Sequence, residues 1–183
     1  DINQVADAVR QWADGRDAPP DLLLRLIHAL WNMRVHLRGS DKDGKFADPG
    51  LYHQMLQTLA NVRFAPDAPD SPATESNRLN WEALLTEAEI LYARDGADKA
   101  KDALLQVLSL NPSCADAWAM LGRMTVDAFS FDTTESIALR LDLIAANPAP
   151  GALLLDESGE EPAGAPDKVS IDAACLRARA ALR

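Results

Sequence analysis

The stretch "LSLNPSCADAWAMLGRM", residues 108–124, holds an apolar run, an Asn-Pro pair and a second apolar run. Proline has no amide hydrogen and disfavours helical backbone at the residue before it, so the first run predicts a helix that ends near Leu110. A second helix is expected to start just beyond Pro112 and to carry Trp118 and Gly122. We therefore interpret the stretch as a joint between two helices.

The composition favours helix along the whole chain. Leu, Ala, Asp, Glu and Arg are abundant in the 183 residues, whereas Val, Ile and Thr are scarce. Apolar residues make up 48% of the chain, which is enough to form a core without disulfides. We expect an all-α protein of one domain or of two small ones.

The formal net charge of −10 argues against nucleic acid as a partner, because binding it requires basic side chains that replace the phosphate counterions. A basic or neutral partner is easier to accommodate. No stretch approaches the roughly 20 apolar residues that span a bilayer, so no membrane span is predicted. The chain begins at Asp1 instead of methionine, and we expect a processed form or a piece of a longer protein.

Three amphipathic helices are predicted in the N-terminal region, residues 1–64. Apolar residues in 1–14 fall on one face, a long second helix begins near Asp21, and a third helix covers residues 51–63. The segment 65–78 that follows contains three prolines and almost no apolar bulk, so it is predicted to be a linker.

The joint repeats further along the chain. Asn147 and Pro148 follow Asn111 and Pro112 by 36 residues, and each pair closes a leucine-rich helix. A closing helix is predicted from about residue 167 to residue 182. The C-terminal part of the chain is thus expected to consist of consecutive helix pairs.

A shift of 34 residues aligns two such pairs, with Leu84 against Trp118 and Ala88 against Gly122. This period, with the order W-x2-L-G-x2-Y, then A-x3-F, then P, resembles the tetratricopeptide repeat (TPR). Thr125 stands where the family has tyrosine. The first unit supplies the back half of the pattern and the second unit the front half: Ala100, Leu104 and Pro112, then Trp118, Leu121 and Gly122.

The resemblance implies antiparallel helix hairpins that stack as a short right-handed solenoid, with two TPR units at 79–148. Residues 149–183 are expected to hold a degenerate repeat or a C-terminal capping helix, since Glu157 and Ser158 replace the Leu-Gly of a third unit. Region 1–64 contains helix pairs without the signature, and we expect it to be formed of degenerate pairs.

In this family the first helix of each unit lines a concave groove that binds peptides and protein segments. The corresponding positions in this chain are Glu82, Leu85, Glu89, Tyr92 and Ala93, then Asp116, Ala119, Arg123, Val126 and Asp127. Four carboxylates and one arginine make this set acidic, so the expected partner is a protein or peptide with a basic or apolar segment. The alternative is that these are solvated helix faces without a partner.

The resemblance implies a non-catalytic interaction module, a scaffold or adaptor, that needs no cofactor. The sequence contains no G-x-S-x-G, no H-E-x-x-H and no phosphate-binding glycine loop. An alternative is the helical accessory region of a larger enzyme or of a secretion or assembly component, whose chemistry lies outside this chain. A third is a small-molecule binder between the N-terminal helices and the repeats.

Two groups of residues are candidate metal ligands. Asp41, Asp43 and Asp48 surround a glycine, but alignment with the EF-hand order leaves glycine at the first and twelfth ligand positions. We expect a polar turn there. The histidines have no i, i+4 spacing, so we expect them to pack between helices or face solvent: His28, His36 and His53.

The remaining special residues are expected to be structural. Cys114 and Cys175 stand in no metal or redox spacing, and both are predicted to be small packed side chains. The four tryptophans are predicted to lie in the core or between helices: Trp12, Trp31, Trp81 and Trp118.

Overall fold

A computed structural model describes residues 19–37, 49–63, 73–128, 130–147 and 165–182. These residues form helices and no strand, which confirms the all-α class. The helices are α1 Pro20–Leu37, α2 Pro49–Arg63, α3 Ala73–Asp95, α4 Ala97–Leu110, α5 Ala115–Asp127, α6 Phe131–Ala146 and α7 Ala165–Ala181. In the described ranges, every helix is too short or too polar to cross a membrane. The predicted helix at 1–14 and Trp12 lie outside these ranges.

The chain divides into two compact units after Gly96. Gly96 has a φ of 92°, a left-handed backbone that glycine adopts easily because it has no Cβ. The division falls within the first predicted repeat, whereas the sequence placed the boundary at 65–78. Residues 73–78 of that segment are helical, as the start of α3. The stacking of both repeats in one solenoid therefore stays a prediction.

In the first unit, α1, α2 and α3 pack against one another in all three pairs. Each helix contributes apolar side chains spaced three or four residues apart, as expected for amphipathic helices. The core consists of Leu24, Ile27, Leu30, Trp31, Met55, Leu59, Val62, Ala83 and Ile90. Trp31 and Trp81 are both buried, as predicted.

In the second unit, α5, α6 and α7 each pack against the other two, and α4 packs against α5. The side chains that α5 contributes to this core are small or of medium size, which allows α6 and α7 to approach α5 closely. The core consists of Ala115, Ala119, Val126, Ile137, Ala138, Leu141, Ile144, Val169, Ala173 and Leu176. The closing helix predicted from residue 167 is thus α7, and it packs against α5 and α6.

The joint between α4 and α5 lies where the sequence predicts it. The side-chain oxygen of Asn111 accepts a hydrogen bond from the Ser113 amide at 3.2 Å. The indole nitrogen of Trp118 donates to the carbonyl oxygen of Pro112 at 2.9 Å. Trp118 is half-buried, so it serves the turn as a hydrogen-bond donor as well as packing between helices.

Gly122 is a point of close approach between α5, α6 and α7. A Cβ atom added to it would overlap the Cδ1 methyl of Leu176 on α7, and it would lie 3.1 Å from Cγ2 of Ile137 on α6. A larger residue therefore requires the Leu176 side chain to shift and Ile137 to give way by a few tenths of an ångström. The small residue of the repeat signature has a direct packing role here.

Thr125 forms a polar contact between α5 and α6. Its hydroxyl lies 2.9 Å from the hydroxyl of Thr134, which is fully buried. The Thr134 hydroxyl also donates to the Ser130 carbonyl at 3.0 Å. The sequence identified Thr125 only as a departure from the family's tyrosine, and this contact depends on a residue in the next helix.

Replacement of Gly122 by valine is expected to lower the free energy of unfolding by about 1–3 kcal/mol, because the added methyl groups overlap Leu176 and Ile137. Urea denaturation followed by circular dichroism measures the change. In a Leu176→Ala background the same replacement should cost less, since the missing methyl groups leave room for it. An equal cost in both backgrounds would show that Leu176 does not impose the constraint.

Trp118→Phe is expected to destabilise the chain by about 0.5–1 kcal/mol, through loss of the hydrogen bond to Pro112. Trp118→Ala is expected to cost about 2 kcal/mol, less than the 3–5 kcal/mol typical of a buried tryptophan, because Trp118 is only half-buried. Urea denaturation of both variants tests this. A cost above about 4 kcal/mol for alanine would mean that Trp118 is part of the core.

Candidate partner-binding surface

The predicted groove positions lie on two helices, α3 in the first unit and α5 in the second. Four of these side chains are buried, with relative exposures of 0–6%: Glu82, Leu85, Ala119 and Val126. Ala119 and Val126 belong to the core of the second unit. In this conformation the four side chains do not reach the surface, because packing between helices occupies them.

The remaining polar and aromatic positions retain access to solvent. Glu89 and Tyr92 on α3 are half-buried, as is Asp116 on α5, whereas Arg123 and Asp127 on α5 are exposed. Ala93 is half-buried and packs against the core of the first unit. The accessible positions are therefore one carboxylate and one tyrosine on α3 of the first unit, and two carboxylates and one arginine on α5 of the second unit.

Glu82 is part of an ion-pair network between α1 and α3. Its two carboxylate oxygens accept hydrogen bonds from Nη1 of Arg78 at 3.0 and 2.9 Å. Nη2 of Arg78 donates to Asp21 on α1 at 3.1 Å, and Asp21 also pairs with Arg25 at 3.0 Å. The network joins the first turn of α1 to α3, so Glu82 has a structural role within the first unit.

Burial raises the pKa of Glu82 above its ordinary value, because the charged carboxylate loses its water, and Arg78 offsets only part of this rise. The ionised form of Glu82 is therefore less favourable in the folded chain than in the unfolded chain. The Glu82 carboxylate is buried and paired with Arg78, so it does not face an external partner.

Asp116 is also engaged within its own unit. Nζ of Lys168 on α7 donates to Oδ1 of Asp116 at 2.5 Å. Burial alone would lower the pKa of Lys168, but the charge and hydrogen bond of Asp116 outweigh it and raise that pKa. Lys168 was not identified from the sequence, because it lies 52 residues from Asp116.

Arg177 forms the second link between carboxylates and α7. It donates to Glu135 at 3.3 Å and to Asp142 at 2.5 Å, both on α6. These pairs, with Asp116 and Lys168, place basic side chains of α7 beside carboxylates of the other helices. The second unit is therefore less acidic at its surface than its carboxylates alone would suggest.

A shallow, open depression of about 360 Å³ lies at the start of α6 and is lined by Ser130, Phe131, Asp132 and Thr133. It does not bring together an acid, a base and a nucleophile in the arrangement that catalysis requires. In the parts of the chain that the structure describes, no three His, Cys, Asp or Glu side chains meet as metal ligands. The loop with Asp41, Asp43 and Asp48 lies outside those parts.

The histidines and cysteines can be placed in part. His28 is half-buried and His53 is exposed, consistent with packing and solvent-facing roles, while the side chain of His36 lies outside the described set. Cys114 is buried, as predicted, but Cys175 is exposed. The prediction was wrong for Cys175, because this position is on the outer face of α7.

No family model, curated protein or solved structure matches the chain in comparisons of sequence and fold. The resemblance to the TPR family therefore rests on the 34-residue period and on its signature residues, above all Trp118, Leu121 and Gly122.

Glu82→Gln is expected to change how stability depends on pH. With its pKa raised in the folded chain, Glu82 contributes stability below its unfolded pKa that is lost as the pH rises through the folded value. Glutamine is neutral throughout. The stability of the wild type relative to Glu82→Gln should therefore fall as the pH rises above the ordinary glutamate pKa of 4.5.

Urea denaturation of both proteins in half-unit pH steps measures this difference. Asp102→Asn, which replaces an exposed carboxylate on α4 of the second unit, is the matched control for the loss of one charge. If the wild type instead gained stability over Glu82→Gln with rising pH, the pairing with Arg78 would outweigh the burial of the carboxylate.

Proposed function

We propose that this chain is a non-catalytic protein interaction module, a TPR-like scaffold or adaptor that binds a basic or apolar segment of a partner protein. The observation that carries the proposal is the repeated joint with its signature, in which Gly122 lies against Leu176 of α7 and Ile137 of α6. Helices of this kind stack because a single pair cannot bury its apolar face, and stacked pairs offer an extended surface for a partner.

The charge of the candidate surface favours a basic partner. Glu89 and Asp127 retain access to solvent, and the chain as a whole has a formal net charge of −10. Opposite potentials steer association and fix the orientation of a partner more than they add affinity. A partner segment with lysine or arginine beside apolar residues would match both the accessible carboxylates and the apolar positions of the candidate surface.

Tyr92 supplies the apolar part of the surface. It is half-buried, so part of its surface remains accessible. Tyrosine is among the residues that most often dominate binding energy in protein interfaces, because it offers a large contact area with little loss of conformational freedom. The proposed contact positions are therefore Glu89 and Tyr92 on α3 of the first unit, and Asp116, Arg123 and Asp127 on α5 of the second unit.

A displayed library of random peptides, selected on the immobilised chain, tests the proposal although the natural partner is not identified. We expect the selected peptides to be enriched in lysine and arginine next to apolar residues, and to bind more weakly at higher salt. Enrichment of acidic peptides, or the absence of any enrichment, would contradict the proposal.

The groove itself is tested with the combined variant Glu89→Lys and Asp127→Lys. Its affinity for a selected basic peptide, measured by fluorescence anisotropy, should be weaker by roughly tenfold or more. The matched control is Asp98→Lys with Asp102→Lys, which reverses two exposed carboxylates on α4 outside the proposed surface. Equal loss in both variants would indicate non-specific attraction, and unchanged affinity in the first would exclude these two positions.

A further inference from the structure

Helix α7 is apolar on two opposite faces. One face is buried in the core of the second unit through Val169, Ala173 and Leu176. The other face carries Ile171, Ala174, Cys175, Ala178 and Leu182, all of them exposed. With 3.6 residues per turn, these five side chains lie within an arc of about 100° of the helix surface. We call this set the outer stripe.

The outer stripe is unusual for a helix at a protein surface. Ile171 is 60% exposed and Leu182 is 85% exposed. A surface helix normally carries polar side chains on its outer face, and a terminal helix of a repeat array needs them for solubility. A capping role for α7, as predicted for 149–183, would leave this apolar stripe in water. The stripe therefore has the character of a contact face.

Charged residues along one side of the outer stripe indicate what covers it. Lys168, Asp172 and Arg179 all flank the stripe on the side of Cys175. Lys168 is held by Asp116 on α5 and also interacts with Asp172 of its own chain. Asp172 and Arg179 lie seven residues apart. In two antiparallel helices related by a two-fold axis, the same side of each helix meets its counterpart. With the axis beside Cys175, Asp172 of each copy faces Arg179 of the other. Two opposite-charge pairs form in this arrangement.

A parallel arrangement fits these charges less well. Parallel helices bring opposite sides of the stripe together, so Asp172 would approach the side that carries Ser170 and Arg177. Arg177 already donates to Glu135 and Asp142 on α6. The antiparallel arrangement uses Arg179, which is exposed.

We propose that two copies of this chain associate through the outer stripe of α7, antiparallel, with Cys175 next to the two-fold axis. Ile171 of one copy then packs between Ala178 and Leu182 of the other. The small side chains at the centre of the stripe let the two helix axes approach closely. This interface is self-complementary, as a two-fold contact requires.

Sedimentation velocity of the full chain over a range of concentrations, with a reducing agent present, tests the association. The wild type should show a reversible monomer–dimer equilibrium, and Ile171→Glu should raise its dissociation constant by roughly tenfold or more. Leu139→Glu is the matched control, because Leu139 is 53% exposed on α6 outside the stripe. A wild type that stays monomeric, or an equal effect of both variants, would overturn the proposal.

A charge exchange tests the register. Asp172→Arg alone and Arg179→Asp alone should each weaken the dimer, and the two together should restore it. Within one helix these residues are about 10 Å apart along the axis, so restoration reports a contact between copies. If the double variant is as weak as the single variants, the proposed register is wrong.

Thiol cross-linking tests the direction of the helices. Cys114 is buried, so a short bismaleimide reaches Cys175 and should join the two copies there. In a Cys175→Ser background, Leu182→Cys should not cross-link, because antiparallel packing keeps the two positions about 20 Å apart. Efficient cross-linking of Leu182→Cys would show parallel helices and overturn the antiparallel arrangement.

Discussion

The close approach at Gly122 is the constraint on which the second unit depends. A Cβ at this position would meet the end of the Leu176 side chain and lie 3.1 Å from Cγ2 of Ile137, so any larger residue forces side chains of α6 and α7 to shift. One turn to either side, Ala119 and Val126 continue the same narrow face. Helices whose facing residues are small pack at short axial distances, and the larger side chains of the neighbours then fill the space. The interlocked arrangement of α5, α6 and α7 follows from this face.

The distribution of charge changes when the chain folds. Glu82, acidic in the sequence, is buried against Arg78, and Asp116 is paired with Lys168. The desolvation of a carboxylate is costly, so each is placed beside a basic group that recovers part of the lost hydration. The sign of a surface therefore depends on which charges remain unburied, and the net charge of the sequence overestimates the acidity of the α3 and α5 faces.

The sequence predicts the helices and their joints better than it predicts the surface. The Asn111-Pro112 joint and the start of α1 at Pro20 depend on the local backbone preferences of proline, which neighbouring residues reveal. The burial of Glu82 depends instead on α1. Glu82 is paired with Arg78, and Arg78 is in turn bound by Asp21 of α1, which lies 57 residues before Arg78 in the sequence. No local pattern contains that information. The start of α3 also depends on distant residues. By composition, residues 65–78 favour a linker, but in the structure a helix begins at Ala73. This helix packs against α1 and α2, and such packing stabilises helices more than local propensity does.

The size of the outer stripe limits the free energy of the proposed association. Each fully buried isoleucine or leucine contributes about 1.5–3 kcal/mol, and a symmetric contact would bury Ile171 and Leu182 from both copies. Loss of translational and rotational freedom costs about 4–15 kcal/mol, a comparable amount. Such an interface is expected to be reversible and dependent on protein concentration, with the Asp172 and Arg179 pairs selecting the orientation. Because Arg177, Lys168 and the buried face hold α7 to its own unit, association does not require the second unit to open.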